Sequence, residues 1–192
     1  MLRFLFNVLQ EGLRVRFENW FRQDIWSIGI IKKPIQQVLS GDIKKPDLVL
    51  EHSDKNSFLA DPFAILNGDD LVVFCEEYSY DSNIGKICRI DVNKNTLNGS
   101  RITPTLKPLT REGRGLHRSY PFLFSWEGNR YLIPECQLSN RVELWKLDSR
   151  LEKIVEITTL IEGVKAVDPT LFFKNGFFWL AATLEDIGPN SH

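Results

Sequence analysis

The chain has 192 residues, 24 basic and 25 acidic side chains, and a formal net charge of −1. So even a balance supplies no field to hold a polyanion, which argues against a nucleic-acid partner. No apolar run approaches the roughly 18 residues that span a bilayer. Cys75, Cys88 and Cys136 are an odd number without a CxxC pair, which argues against a disulfide framework or a zinc site and points to a reducing cytoplasm.

Residues 1–25 read as a helical N-terminal extension. Leu2, Leu5, Leu9, Leu13, Phe17 and Trp20 recur at near-helical spacing, with Arg3, Arg14, Arg16 and Arg22 among them. The short apolar run FLFNVL, broken by Asn7 and lacking a small-residue cleavage site, is a poor signal peptide. Packing on the protein is the favoured role. Contact with an anionic membrane surface is the less favoured alternative.

From residue 26 to 192 the pattern changes to short β-rich runs cut by Gly, Pro, Asn and Asp. Three segments repeat: ADPFAILNGDDLVVFCEEY from Ala60, SYPFLFSWEGNRYLIPECQ from Ser119 and VDPTLFFKNGFFWLAATLE from Val167. Pro62, Pro121 and Pro169 each follow one residue that varies: Asp61, Tyr120 and Asp168. The turn glycines Gly68, Gly128 and Gly176 come six or seven residues later. Glycine accepts the positive φ that hairpin turns demand, so each segment predicts a hairpin. Fourteen residues after each proline stand Glu76, Glu135 and Thr183. Further strands are predicted at KICRIDV from Lys86 and VELWKLD from Val142, with ITPTLKPL and IVEITTLI as fourth strands. Four strands per unit, repeated 59 and 48 residues apart, describe the blades of a β-propeller, with units beginning near 59, 118 and 166. A β-sandwich of similar hairpins is the alternative.

Several of these motifs together carry a resemblance: WSIGI at Trp26, LADPF at Leu59, VVFCEEY at Val72, HRSYPFLF at His117, YLIPE at Tyr131 and VDPTLF at Val167. They resemble the N-terminal propeller domain of glucosamine inositolphosphorylceramide transferases and its bacterial relatives, which in turn is similar to the five-bladed propellers of family 43 glycoside hydrolases. The resemblance implies an all-β, five-bladed propeller, of which this chain holds about three blades and stops short of the rest. It implies a carbohydrate or a glycolipid glycan as ligand, and a fused or partner transferase domain.

In a propeller the first strand of each blade lines the channel, so Asp61, Tyr120 and Asp168 converge at one mouth. Glu76, Glu77 and Glu135 end the returning strands on the same side. Glycosidic cleavage needs two carboxyl groups flanking the bond. By resemblance Asp61 is then the base, Glu135 the acid and Asp168 the group that tunes it, while Glu77, His117, Arg118 and Tyr120 bind substrate. The plainer reading of each Asp-Pro is a turn cap that closes a blade. Glu76 reads as structural or solvated, and Trp145 and Trp179 as packed between blades. No GxGxxG, P-loop or GxSxG is present, so no cofactor or metal is expected.

Overall fold

The computed structural model describes residues 24–41, 45–97, 99–109 and 116–185. The helix expected over residues 1–25 falls almost wholly outside them. The described chain is almost all β. A three-stranded sheet joins β1 (Ile28–Ile30), β2 (Leu48–Leu50) and β6 (Ser100–Ile102), with β2 and β6 parallel. A one-turn helix, α1 (Ile35–Leu39), lies between β1 and β2 and has no counterpart in the sequence reading.

Two four-stranded antiparallel sheets follow. The first blade runs β3 (Ser57–Asn67), β4 (Asp70–Ser79), β5 (Ile84–Val92) and β7 (Lys107–Pro108). The second runs β8 (Ser119–Trp126), β9 (Asn129–Glu135), β10 (Arg141–Leu147) and β11 (Ile154–Glu162). A third unit begins with the hairpin β12 (Ala166–Lys174) and β13 (Phe177–Leu184). Its first strand lies against β8, which itself lies against β3. The three repeat-opening strands therefore sit in separate, adjacent sheets, as blades of a partial β-propeller. The segment ITPTLKPL does not form one strand. Its Ile102 closes β6 in the small sheet, and only Lys107 and Pro108 complete the first blade.

Strand alternation sorts the side chains between neighbouring sheets. On β4, Val73 and Cys75 pack with Leu48, Leu50, Cys88 and Ile90 against the small sheet. Val72 and Phe74 point the other way and join Leu132, Trp145 and Leu147 of the second blade. On β9, Leu132 faces the first blade while Ile133 packs with Val142 and Ala166 towards the third unit. Each blade thus buries both faces against its neighbours. The third unit meets only one neighbour among the described residues. Trp179 was expected between blades but is 52% exposed, stacked parallel to Phe172 at 6.3 Å. Trp145 is buried between the first two blades, as expected.

Each opening strand carries the same irregularity. Pairing runs regularly to Ala60↔Glu76, Ser119↔Glu135 and Val167↔Thr183, then slips to resume at Phe63, Phe122 and Thr170. The two residues left over are Asp61–Pro62, Tyr120–Pro121 and Asp168–Pro169. The first of each pair is left-handed, with φ of 49°, 44° and 52°. A non-glycine residue there is uncommon, and strain of this kind collects at functional sites. Bulges re-aim side chains, and these three act on the same position of every unit.

Candidate functional site

The bulges carry Asp61, Tyr120 and Asp168 to the inner ends of their strands, and Glu76 and Glu135 pair with the residues just before the bulges. Alternation decides which carboxylates join them. Glu76 is in phase with Val72 and Phe74, so it faces the second blade. Glu135 is in phase with Ile133 and faces the third unit. Glu77 is in phase with Cys75 and turns away.

The first junction links β3 to β8. The Asp61 carboxylate accepts the backbone N–H of Tyr120. Burial raises the Asp61 pKa, and nearby Asp168 adds to the rise, against the lowering influence of the Tyr120 N–H and His117. The Tyr120 ring packs edge-on to Phe63 at 5.2 Å, and its hydroxyl meets Thr170 Oγ1 of the third unit at 2.9 Å. The second junction uses a different acceptor, because Tyr120 has no carboxylate to offer. Glu135 Oε2 accepts the Asp168 N–H at 3.1 Å.

Glu76, expected to be structural or solvated, is not solvated. It is 6% exposed, and its Oε1 is buried without a hydrogen-bond partner. The junction it faces is already closed by Asp61, so the N–H that its counterpart Glu135 receives is not available to it. Burial, then Asp61, then Glu135 push its pKa up to about 8. His117 approaches from the segment before β8, its Nε2 3.7 Å from Glu76 Oε1. Its Nδ1 accepts the Gly85 N–H at 2.9 Å, and the Arg118 N–H donates to the Gly85 carbonyl at 2.9 Å. Burial lowers the His117 pKa, with Arg118 acting the same way and Glu135 and Asp61 opposing. Arg118 Nη1 donates to the His117 carbonyl.

Asp61, Glu76, Glu135, His117 and Asp168 therefore form one electrostatically connected group drawn from three units, with Arg118 and Tyr120 at its edges. Glu77 does not join it. On the opposite face of β4 it meets His52 Nε2 at 3.0 Å and the Cys88 thiol at 3.3 Å, in a cleft of about 290 Å³ with Ser53, Thr103 and Leu106. Adjacent strand residues point to opposite faces, so Glu76 and Glu77 could not both reach the mouth. The repeat held the signal for choosing between them, since it equates Glu76, and not Glu77, with Glu135. His52, which stands in no sequence motif, is the partner of Glu77. Among the described residues no three His, Cys, Asp or Glu side chains are arranged to hold a metal ion.

Comparison with known proteins gives a consistent picture. Residues 43–190 match the family described as glucosamine inositolphosphorylceramide transferase 1, N-terminal. The Arabidopsis thaliana glucosamine inositolphosphorylceramide transferase 1 is 30% identical over 134 residues, covering 65% of this chain and 15% of the relative. The Oryza sativa subsp. indica protein of the same name is 29% identical over 139 residues, covering 67% of this chain and 16% of the relative. The chain thus spans about one sixth of the length of these relatives. A solved family 43 glycoside hydrolase, a β-1,3-galactosidase, superposes with a TM-score of 0.57 at 12% identity. That match covers 74% of this chain and 32% of the hydrolase, and it shows the propeller fold.

Proposed function

The chain belongs to the family of glucosamine inositolphosphorylceramide transferase N-terminal domains, and on that premise we propose that it is a sugar-binding propeller module serving a glycosyl-transfer enzyme, fused or separate, that builds a glycolipid or surface glycan. One observation carries the reading. Carboxyl groups from three units stand near one another: Asp168 acts on Asp61, Glu135 accepts the Asp168 N–H, and Glu76, which Asp61 and Glu135 both influence, is buried with an unpartnered oxygen. Sugars are recognised by such convergent acceptors and donors together with an aromatic flank. Arg118 supplies a cation beside His117, and the even charge of the whole chain matches a neutral polyhydroxyl ligand. A cytoplasmic location is part of this proposal, and the free thiols of Cys75, Cys88 and Cys136 suit a reducing compartment.

Titration of the 192-residue chain with galactose, glucosamine and myo-inositol, followed by amide NMR, tests it. Shifts should centre on residues 60–62, 117–121 and 167–170, and Asp61→Asn and Asp168→Asn should each weaken binding about tenfold, the loss of one charged hydrogen bond. No binding of any of the three at millimolar concentration would overturn the proposal. A hydrolytic reading, with Asp61 as base, Glu135 as acid and Asp168 tuning it, ranks second. It draws support from a carboxyl group at the mouth with a pKa of about 8, the property a general acid needs, but that group is Glu76. Glu135 Oε2 is engaged by the Asp168 N–H. Release of nitrophenol from nitrophenyl β-galactoside that is lost in Glu76→Gln or Glu135→Gln would bring this reading to the front.

A further inference from the structure

Glu76 Oε1 is sealed on one side by Gly85. A Cβ built on Gly85 would lie 1.9 Å from Glu76 Oε1, 2.8 Å from Glu76 Cδ and 2.9 Å from His117 Cε1. Gly85 also donates its N–H to His117 Nδ1. That bond fixes the ring. An imidazolium has no lone pair on Nδ1, so His117 cannot take a second proton while it accepts from Gly85. The ring proton must sit on Nε2, the nitrogen that faces Glu76. His117 is thereby held neutral and cannot act as counter-ion to Glu76. The other groups facing Glu76 are Asp61 on β3 and Glu135 on β9, both acidic. The cation next to His117 among the described residues, Arg118, acts on His117. Among the described residues, an ionised Glu76 would have an unpartnered oxygen, two acidic neighbours and no cation against it.

We propose that Glu76 is the proton-holding residue of this mouth: a neutral carboxylic acid, kept so by the Gly85–His117 contact, whose ionisation loosens the mouth and lets its sugar go. The step breaks the Glu76 O–H bond: the proton passes to solvent base, the electron pair stays on the carboxylate, and no bond between heavy atoms changes. Charge on Glu76 repels Asp61 and Glu135. These two carboxylates accept the Tyr120 and Asp168 N–H groups that hold the bulges in place. Displacing them frees the residues that present the ligand groups. Glu76 thus acts through Asp61 and Glu135 as a positioning residue. This inference rests on the sugar-binding reading for its effect on affinity, but not for the state of Glu76.

Two measurements on the full chain test the parts separately. Carbon-13 NMR of the Glu76 carboxyl, with nitrogen-15 shifts of His117, should show a protonated acid at pH 7, a midpoint near 8 and a neutral ring protonated on Nε2. Glu76 ionised at pH 7, or His117 carrying the proton on Nδ1, overturns the proposal. The affinities for galactose, glucosamine and myo-inositol, measured from pH 6 to 9.5, should fall about tenfold between pH 7 and 9, the change in neutral fraction of an acid with that midpoint. Glu76→Gln should flatten that fall. A flat profile in the parent across the same range, while Glu76 titrates, overturns the link between proton and affinity. If no sugar binds at any pH, the sugar-binding reading fails and takes the link with it, while the carbon-13 titration still decides for or against the neutral acid.

Discussion

Replacing Gly85 with alanine tests the construction of the mouth more directly than any change to a charged residue. Gly85 has no left-handed φ, so space rather than backbone conformation demands glycine here. The added methyl would fall 1.9 Å from Glu76 Oε1 and 2.9 Å from His117 Cε1. Both side chains are packed, so one must leave its rotamer or β5 must shift. Overpacking of this size costs about 1–3 kcal/mol. If His117 is the one displaced, the Gly85 N–H loses its acceptor, adding about 1 kcal/mol. We expect Gly85→Ala to lower stability by about 2–4 kcal/mol, read from the urea midpoint at pH 6.5. The effect should belong to the pair. In a Glu76→Ala background only the 2.9 Å approach to His117 Cε1 remains, and the ring can ease into the space Glu76 leaves, so the same substitution should cost clearly less than in the parent, about 1 kcal/mol or below. Equal losses in the two backgrounds would refute the steric argument, and a loss below about 0.5 kcal/mol in the parent would refute the packing.

Further outcomes follow from the same geometry. Glu76 keeps its proton in the folded chain up to about pH 8 but only to about 4.5 when exposed, so the unfolded state binds fewer protons between those values and stability falls as pH rises through them. Parent minus Glu76→Gln should therefore lose about 3–5 kcal/mol from pH 4.5 to 8.5 in urea titrations, and a constant difference would contradict the raised pKa. Asp168 is exposed and left-handed, so Asp168→Gly should keep stability within about 1 kcal/mol of the parent while weakening sugar binding, as thermal denaturation and NMR titration would show. Trp145 donates from Nε1 to the buried Glu143 Oε2 at 2.8 Å, so Trp145→Phe should cost about 2–4 kcal/mol by urea denaturation, and clearly less when Glu143 is also changed to leucine. Phe172, Phe177 and Trp179 are about half exposed or more on the third unit, so Trp179→Lys should reduce self-association of the chain in light scattering.

The blades were legible in the sequence because proline and glycine punctuate them at fixed offsets. Pro62, Pro121 and Pro169 mark the bulges, Gly68, Gly128 and Gly176 the hairpin turns, and both act through local backbone geometry that needs no knowledge of neighbours. The residues at the bulges were equally accessible, since position in a repeat places them. The state of Glu76 was not. It depends on Asp61 taking the Tyr120 N–H, on Gly85 lacking a side chain, and on His117 arriving from another blade. These are contacts across junctions, and period-two patterning is blind to them. Glu77 shows the cost of that blindness: next to Glu76 in sequence, it faces a different sheet and pairs with His52. Trp179 shows another. An apolar strand residue reads as buried whether or not a neighbouring sheet covers it, and here the described residues leave it half exposed.

The bulge repeated in all three units separates pose from chemistry. In every unit the proline after it restricts its backbone, and at the second and third bulges a carboxylate of the preceding unit, Asp61 or Glu135, also grips its main-chain N–H. Aspartate, tyrosine and aspartate accordingly occupy the same left-handed seat. The second and third bulges are thus sockets whose own side chain takes no part in these holds, whereas the Asp61 carboxylate of the first is itself one of the holds. At Tyr120 or Asp168 one residue can be exchanged, altering charge, reach or aromatic surface towards a ligand, while the strands behind it keep their register.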